Sequence, residues 1–148
     1  MKLYYAAPLF SAAEFHWNAA LAAALRAAGH EVYVPQENEP GKTAAEIFAA
    51  DVGGIDWADG LVAVMDGPDP DSGTAWEVGY AYGKGKPIVL IRTDIRSASS
   101  GGAGYNAMLA EAATIRVDLP LPSLAEVAAA VIDALGRLET RAEAGRPH

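Results

Sequence analysis

Four carboxylates fall within a dozen positions in the stretch Asp66-Gly-Pro-Asp-Pro-Asp71-Ser-Gly-Thr74-Ala-Trp-Glu77-Val-Gly-Tyr-Ala81, namely Asp66, Asp69, Asp71 and Glu77. Glycines among them, Gly73 included, let backbone come close to a ligand. Carboxylates in such a loop can act as nucleophiles or as proton donors, depending on what surrounds them. A fifth, Asp51, lies four residues after Ile47, three after Phe48 and four before Ile55, so helical geometry puts it on an apolar face. Burial without a partner would raise its pKa, which suits a proton donor to a leaving group. A core carboxylate satisfied by backbone amides fits the same spacing, and so does an exposed one if the helix breaks at Gly53-Gly54.

Glu77 carries a competing reading. Thr74-x-x-Glu77 spells a capping box, in which the carboxylate folds back onto the Thr74 amide. Ser11/Glu14, Thr43/Glu46 and Ser123/Glu126 repeat the pattern. What separates Glu77 is its place in an Asp/Gly/Pro loop after a strand, in a first helical turn whose dipole keeps a carboxylate ionised and fit to be a nucleophile. Asp66 and Asp71 read most simply as turn residues bonded to their own loop. Tyr4 and Tyr5 alternate across the first strand, so one of them can reach a pocket.

Other chemistries find little support. No histidine stands near the carboxylates and no calcium-loop spacing occurs, so no metal is expected. His16 and His30 have no triad partners at a recognisable spacing, and Ser72 is not in a nucleophile elbow. Gly83-Lys-Gly-Lys86 lacks the full phosphate-loop spacing and reads as a helix stop. Trp17, Trp57 and Trp76 read as core or interface residues.

The elements that must position these groups follow from the patterning. Lys2–Ala6, Gly60–Met65 and Pro87–Ile91 are apolar runs of strand length, and Glu31–Val34 and Thr114–Leu119 read as further strands. Helices are expected from Ser11 to about Ala28 (Phe15, Leu21 and Leu25 inward), from Thr43 to about Ala58 (Ile47, Phe48, Val52 and Ile55 inward), from Thr74 to Gly83, from Tyr105 to Glu111, and from Ser123 onward. Ser97–Gly104 is a Ser/Gly-rich connection, and the tail from Thr140 to His148 is polar. The alternation predicts one α/β domain over residues 1–139, a doubly wound, flavodoxin-like five-stranded parallel sheet of order 2-1-3-4-5 with helices on both faces. Ligands in such sheets bind outside the C-terminal strand ends near the switch between the first and third strands. The loops after Ala6, Met65 and Ile91 fall there.

A chain of 148 residues needs only one core, and its 51% hydrophobic and 20% charged composition is that of an ordinary globular domain. With no cysteine, disulfides, thiolate metal sites and cysteine nucleophiles are excluded together, which suits a cytoplasmic protein. No membrane span or signal peptide is legible. A net charge of −8 argues against a nucleic acid polymer as partner while allowing a single nucleoside.

Leu3-Tyr-Tyr-Ala-Ala-Pro-Leu-Phe10, Ile47-Phe-Ala-Ala-Asp51, Ala58-Asp-Gly-Leu-Val-Ala-Val-Met-Asp66-Gly, Asp71-Ser-Gly-Thr-Ala-Trp-Glu77-Val-Gly-Tyr-Ala81 and Gly85-Lys-Pro, in this order and spacing, resemble the nucleoside 2-deoxyribosyltransferase family. The resemblance extends to about Asn106. It implies transfer of a 2-deoxyribosyl group from a 2'-deoxynucleoside to a free nucleobase through a covalent glycosyl-enzyme intermediate, with no metal or organic cofactor. By position it makes Glu77 the nucleophile, Asp51 the proton donor to the departing base and Tyr4 the residue that orients Glu77. Asp71 would hold the deoxyribose hydroxyls, and Asp66, Gly73 and Phe10 join the substrate-binding set. Asn106 would enter a neighbouring subunit's pocket, so a homo-oligomer is implied. Gln36 and Glu39 both compete for base recognition. Two carboxylates in different settings would have their pKa values pushed apart, as a retaining transfer requires. The competing functions are an N-glycosidase acting on nucleosides or deoxynucleotides with the same carboxylates, and a nucleoside-binding module without catalysis.

Overall fold

The computed structural model describes residues 1–38, 41–95 and 106–144. Strands β1 (Lys2–Ala6), β2 (Glu31–Tyr33), β3 (Gly60–Val64), β4 (Ile88–Arg92) and β5 (Ile115–Asp118) alternate with helices α1 (Ala12–Ala27), α2 (Ala44–Trp57), α3 (Ser72–Gly83), α4 (Ala107–Ala112) and α5 (Leu124–Ala144). The strands form one sheet in the expected order β2-β1-β3-β4-β5, with every pairing parallel. Helices cover both faces, which is why β3 and β4 are buried at every position and read as unbroken apolar runs.

Alternation along the strands splits the core into two layers. Leu3, Tyr5, Val62, Val64, Val89 and Ile91 pack with Leu21 and Leu25 of α1 and Val127, Val131 and Leu135 of α5. On the opposite face Tyr4, Ala6, Leu61, Ala63, Ile88 and Leu90 meet Ile55 of α2 and Val78 and Ala81 of α3. The two tyrosines of β1 therefore belong to different layers. Tyr5 donates to Asn18 Oδ1 of α1 at 3.3 Å, and Tyr4 points toward α2 and α3.

Three of the four expected capping boxes form, at Ser11/Glu14, Thr43/Glu46 and Ser123/Glu126. The fourth does not. Asp71 caps α3, its Oδ2 accepting from Thr74 N at 2.8 Å and from Thr74 Oγ1 at 3.1 Å. Aspartate outranks threonine as an N-cap, so the helix starts three residues early. Glu77 thus lies in the second turn, beyond the amide it was expected to cap.

Other expectations shift for equally local reasons. α2 runs unbroken through Gly53-Gly54. Phe15 and Phe48 are exposed rather than inward, their places against the sheet being taken by Asn18 and Ala22 on α1 and by Gly54 and Ile55 on α2. α5 continues past Thr140, whose hydroxyl donates to Gly136 O at 3.0 Å. The Gly83–Lys86 stretch stops α3 as expected, and Lys86 Nζ turns back to the Asp56 and Ala58 carbonyls at the end of α2, at 3.1 and 2.5 Å. The Ser97–Gly104 connection, Tyr105, Glu39 and the last four residues lie outside the described residues.

The loop after β3 is anchored to the loop after β4. Asp66 accepts from Thr93 N at 2.6 Å, Thr93 Oγ1 at 2.5 Å and Asp94 N at 3.0 Å. Asp94 Oδ2 accepts from Gly67 N at 2.8 Å, and the buried Arg92 donates to Gly67 O at 3.2 Å. Gly67 turns the chain at φ +111°, where a Cβ would stand 3.1 Å from Asp69 O. Asp66 therefore bonds the neighbouring loop rather than its own. Asp66→Ala should strand two backbone amides and cost about 2–3 kcal/mol. For a domain of this size that is a fall of roughly 5–10 °C in the thermal unfolding midpoint, readable by circular dichroism.

Candidate active site

The C-terminal strand ends open into a two-lobed cleft between α2 and α3. One lobe, of about 400 Å³, is lined by Ala44, Ile47, Phe48, Asp51, Gly73, Trp76 and Glu77. The other, of about 290 Å³, shares Ile47, Asp51, Gly73 and Glu77 and adds Ala7, Leu9, Phe10, Pro35, Asp71 and Thr74. Apolar walls with a few convergent polar groups at a switch point are the usual form of a small-molecule site. The apolar stripe of α2 that was expected to be core is, in its N-terminal half, the wall of this cleft.

Six of the eight candidate residues gather here. Tyr4, fully buried on β1, donates its hydroxyl to Glu77 Oε1 at 2.5 Å. Burial first, and then the negative charge of Glu77, drive the Tyr4 pKa far above the ordinary phenol value, so Tyr4 remains a donor at any working pH. Asp51 faces the cleft from α2, and Tyr33 Oη donates to its Oδ1 at 3.4 Å. Both bonds to Asp71 fall on Oδ2, so Oδ1 has no bond among the described residues. Gly73 lines both lobes, where a Cβ would come within 3.1 Å of the capping Asp71 Oδ2. Phe10 stands 76% exposed at the rim.

Two candidates lie elsewhere. Asp66 borders a separate cavity on the α1 side of the sheet, with Asn18, Trp17 and Thr93. Asn106 is the exposed N-cap of α4, accepting from Met108 N at 2.9 Å, and does not line the cleft. Gln36 is turned away as well: it accepts from Asn18 Nδ2 at 3.1 Å and donates to Phe15 O at 3.1 Å. Among the described residues no group of three His, Asp or Glu side chains could hold a metal ion.

Sequence reasoning missed three contributors. Tyr33 stacks on Tyr4 with ring centroids 5.4 Å apart and planes 13° apart. Phe48 and Trp76 meet at 5.4 Å across the mouth of the cleft, and Trp76 stacks on Tyr80 at 5.3 Å. Trp76 is thus a wall of the site rather than core. Its signal was helical spacing: Trp76 lies three residues after Gly73, on the same stretch of helix surface.

The family model described as nucleoside 2-deoxyribosyltransferase covers residues 3–120, and the chain belongs to that family. A 2-deoxyribosyltransferase from Bacillus psychrosaccharolyticus has 28% identity over 86% of this chain and 90% of its own, with a TM-score of 0.66. A 2-deoxyribosyltransferase from Leishmania mexicana, at 22% identity, shares the fold over 89% and 97% of the two chains with a TM-score of 0.67. A CMP N-glycosidase from Clostridium botulinum, at 18% identity, does so over 88% and 98% with a TM-score of 0.65. A search of curated proteins finds no significant match.

Gly54 makes the site's packing possible. A Cβ there would stand 3.0 Å from the Tyr33 ring and 3.1 Å from the Tyr4 ring, whereas one on Gly53 would meet nothing within 4 Å. Gly54→Ala should therefore cost about 1–3 kcal/mol by overpacking. Gly53→Ala should be neutral or stabilising by up to about 1 kcal/mol through helix propensity. Urea denaturation of the two variants checks the contrast.

Proposed function

We propose that this protein transfers a 2-deoxyribosyl group between nucleobases by retaining double displacement. The observation that carries the reading is the Glu77 carboxylate, released from helix capping by Asp71, held by the Tyr4 hydroxyl at 2.5 Å and opening onto the same cleft as Asp51.

In the first half-reaction Glu77 attacks the anomeric carbon of a 2'-deoxynucleoside. The N-glycosidic bond breaks with its electron pair passing to the base, and Asp51 delivers a proton to that base as it leaves. In the second, Asp51 takes a proton from the incoming base, whose nitrogen displaces Glu77 and regenerates the carboxylate. Tyr4 fixes the carboxylate's direction of attack without ionising. Asp71, at the sugar end of the cleft, takes a deoxyribose hydroxyl on Oδ1, Gly73 lets the sugar approach the start of α3, and Phe10 covers the rim. The acidic lining favours the oxocarbenium-like charge that develops between the two displacements. Asn106, exposed at the head of α4, supplies a sugar contact to a neighbouring copy in a homo-oligomer.

An unphosphorylated substrate fits better than a nucleotide. A phosphate near the first loop would need the amides ahead of α1, yet Glu14 Oε2 already accepts from Phe10 N at 2.8 Å and Ser11 N at 2.7 Å. Ser11 Oγ is engaged in turn by Glu14 N at 3.3 Å. An anion seated there repels another.

Incubation with a 2'-deoxynucleoside, with and without a second free base, tests the reading by chromatography. A new nucleoside that forms only with the acceptor is expected. Free base and deoxyribose without acceptor would mean hydrolysis instead, and no turnover of purine or pyrimidine donors would defeat both. Glu77→Ala should lower turnover by at least about a thousandfold, as loss of a covalent nucleophile does, with an unchanged circular dichroism spectrum.

A further inference from the structure

We propose that Tyr33 is a positioning residue for Asp51, doing for the proton donor what Tyr4 does for the nucleophile. The inference rests on the transfer reading above and deepens it. Tyr4 and Tyr33 are register partners on the paired strands β1 and β2, and partners in a parallel pair project from the same face of the sheet. Their rings stack, and from that stack one hydroxyl reaches Glu77 Oε1 and the other Asp51 Oδ1. The second contact, at 3.4 Å, has the open length that catalytic hydrogen bonds show before substrate tightens them.

The placement of Tyr33 is not incidental to Asp51. Gly54 stands one helical turn after Asp51 on α2, and its missing Cβ is what admits the Tyr33 ring against that turn. The Tyr33 ring is therefore seated between Tyr4 and the turn of α2 that carries Asp51. Among the described residues, the titratable groups that face Asp51 are Tyr33 from β2, Tyr4 from β1, and Glu77 and Asp71 from α3 and its cap. Tyr4 feels the charges of both Glu77 and Asp51, so the two carboxylates and two phenols act as one electrostatic group. Within it the Tyr33 hydroxyl is a donor to Asp51. It pins the carboxyl group toward the leaving base and stabilises the carboxylate that remains once the proton has gone.

Tyr33→Phe keeps the ring and removes the hydroxyl. Two donors separate its effects: an ordinary 2'-deoxynucleoside, whose base needs a proton to leave, and an N7-methylated purine 2'-deoxynucleoside, whose cationic base leaves without one. With the ordinary donor kcat should fall about tenfold while KM changes by less than about twofold. Loss of a donor to the carboxylate raises the Asp51 pKa, so its acid form persists longer and the alkaline limb of kcat/KM should move to higher pH. With the methylated donor the rate should change by less than about twofold. Substituting 3-fluorotyrosine at position 33, a stronger hydrogen-bond donor that leaves the fold intact, should move the same limb to lower pH. Equal losses on both donors would assign Tyr33 to packing alone, and an unmoved pH profile in both variants would remove its link to Asp51; either result overturns the proposal. Wild-type protein inert toward every donor defeats the transfer reading and takes this inference with it, whereas active wild type beside an unaffected Tyr33→Phe variant defeats this inference alone.

Discussion

The hydrogen bond from Tyr4 to Glu77 joins the middle of the sheet to the helix at its edge, and each partner makes the other tolerable. A fully buried phenol on a central strand must find an acceptor or bear an unsatisfied donor. A carboxylate in the second turn of α3, free of capping duty, must be held or it will swing into solvent. The 2.5 Å contact meets both requirements. Asp71 starts α3 early enough to bring Glu77 round, Gly54 lets α2 settle onto the Tyr4 ring, and the pairing of β1 with β2 and β3 keeps the phenol dry. Removing any of these would loosen the same bond from a different side.

Among the described residues, the cleft gathers carboxylates between apolar walls. Glu77, Asp51 and Asp71 converge on it, while Arg92, the one buried cation among the described residues, is committed to the loops that follow β3 and β4. Such a field is hospitable to a sugar carbon that gains positive character and inhospitable to a phosphate. Phe48 and Trp76 supply flat apolar surface where the base half of a nucleoside would lie. In the proposed reaction Glu77 and Asp71 serve the sugar, while Asp51 and the aromatic rings serve the base.

Much of this could be read from the residues in order. The five strand segments and the helical patterns between them specify a parallel sheet, because parallel strands need crossover connections such as helices. Asp51 showed itself by breaking an apolar helical stripe, and Glu77 by standing in an Asp/Gly/Pro loop after β3. The errors share a cause, which is that one-dimensional spacing does not say what lies opposite. Ile47 and Phe48 look the same in sequence whether they meet a core or a cleft. Asp71 and Thr74 are overlapping cap signals, and the stronger one won. Tyr33 left no local trace at all, since its link to Asp51 exists only through the register of β1 with β2 and a glycine twenty-one positions away. Asn106, which the resemblance assigns to a neighbouring subunit's pocket, stands outside this chain's cleft, and Gln36, one of two residues left open for base recognition, bonds Asn18 and Phe15.

Strand β2 is three residues long and stands at the edge of the sheet, bonded on one side only. Edge segments of that length open more readily than central ones, and do so without the rest of the domain unfolding. With Tyr33 as its last residue, the strand hangs the contact to Asp51 from the edge of the sheet, while Tyr4 stands on a strand paired on both sides. The two halves of the site therefore sit at different depths on the ladder of local opening. Warming would part Asp51 from Tyr33 before Glu77 loses Tyr4, so the two contacts that the proposed mechanism uses would fail in sequence rather than together.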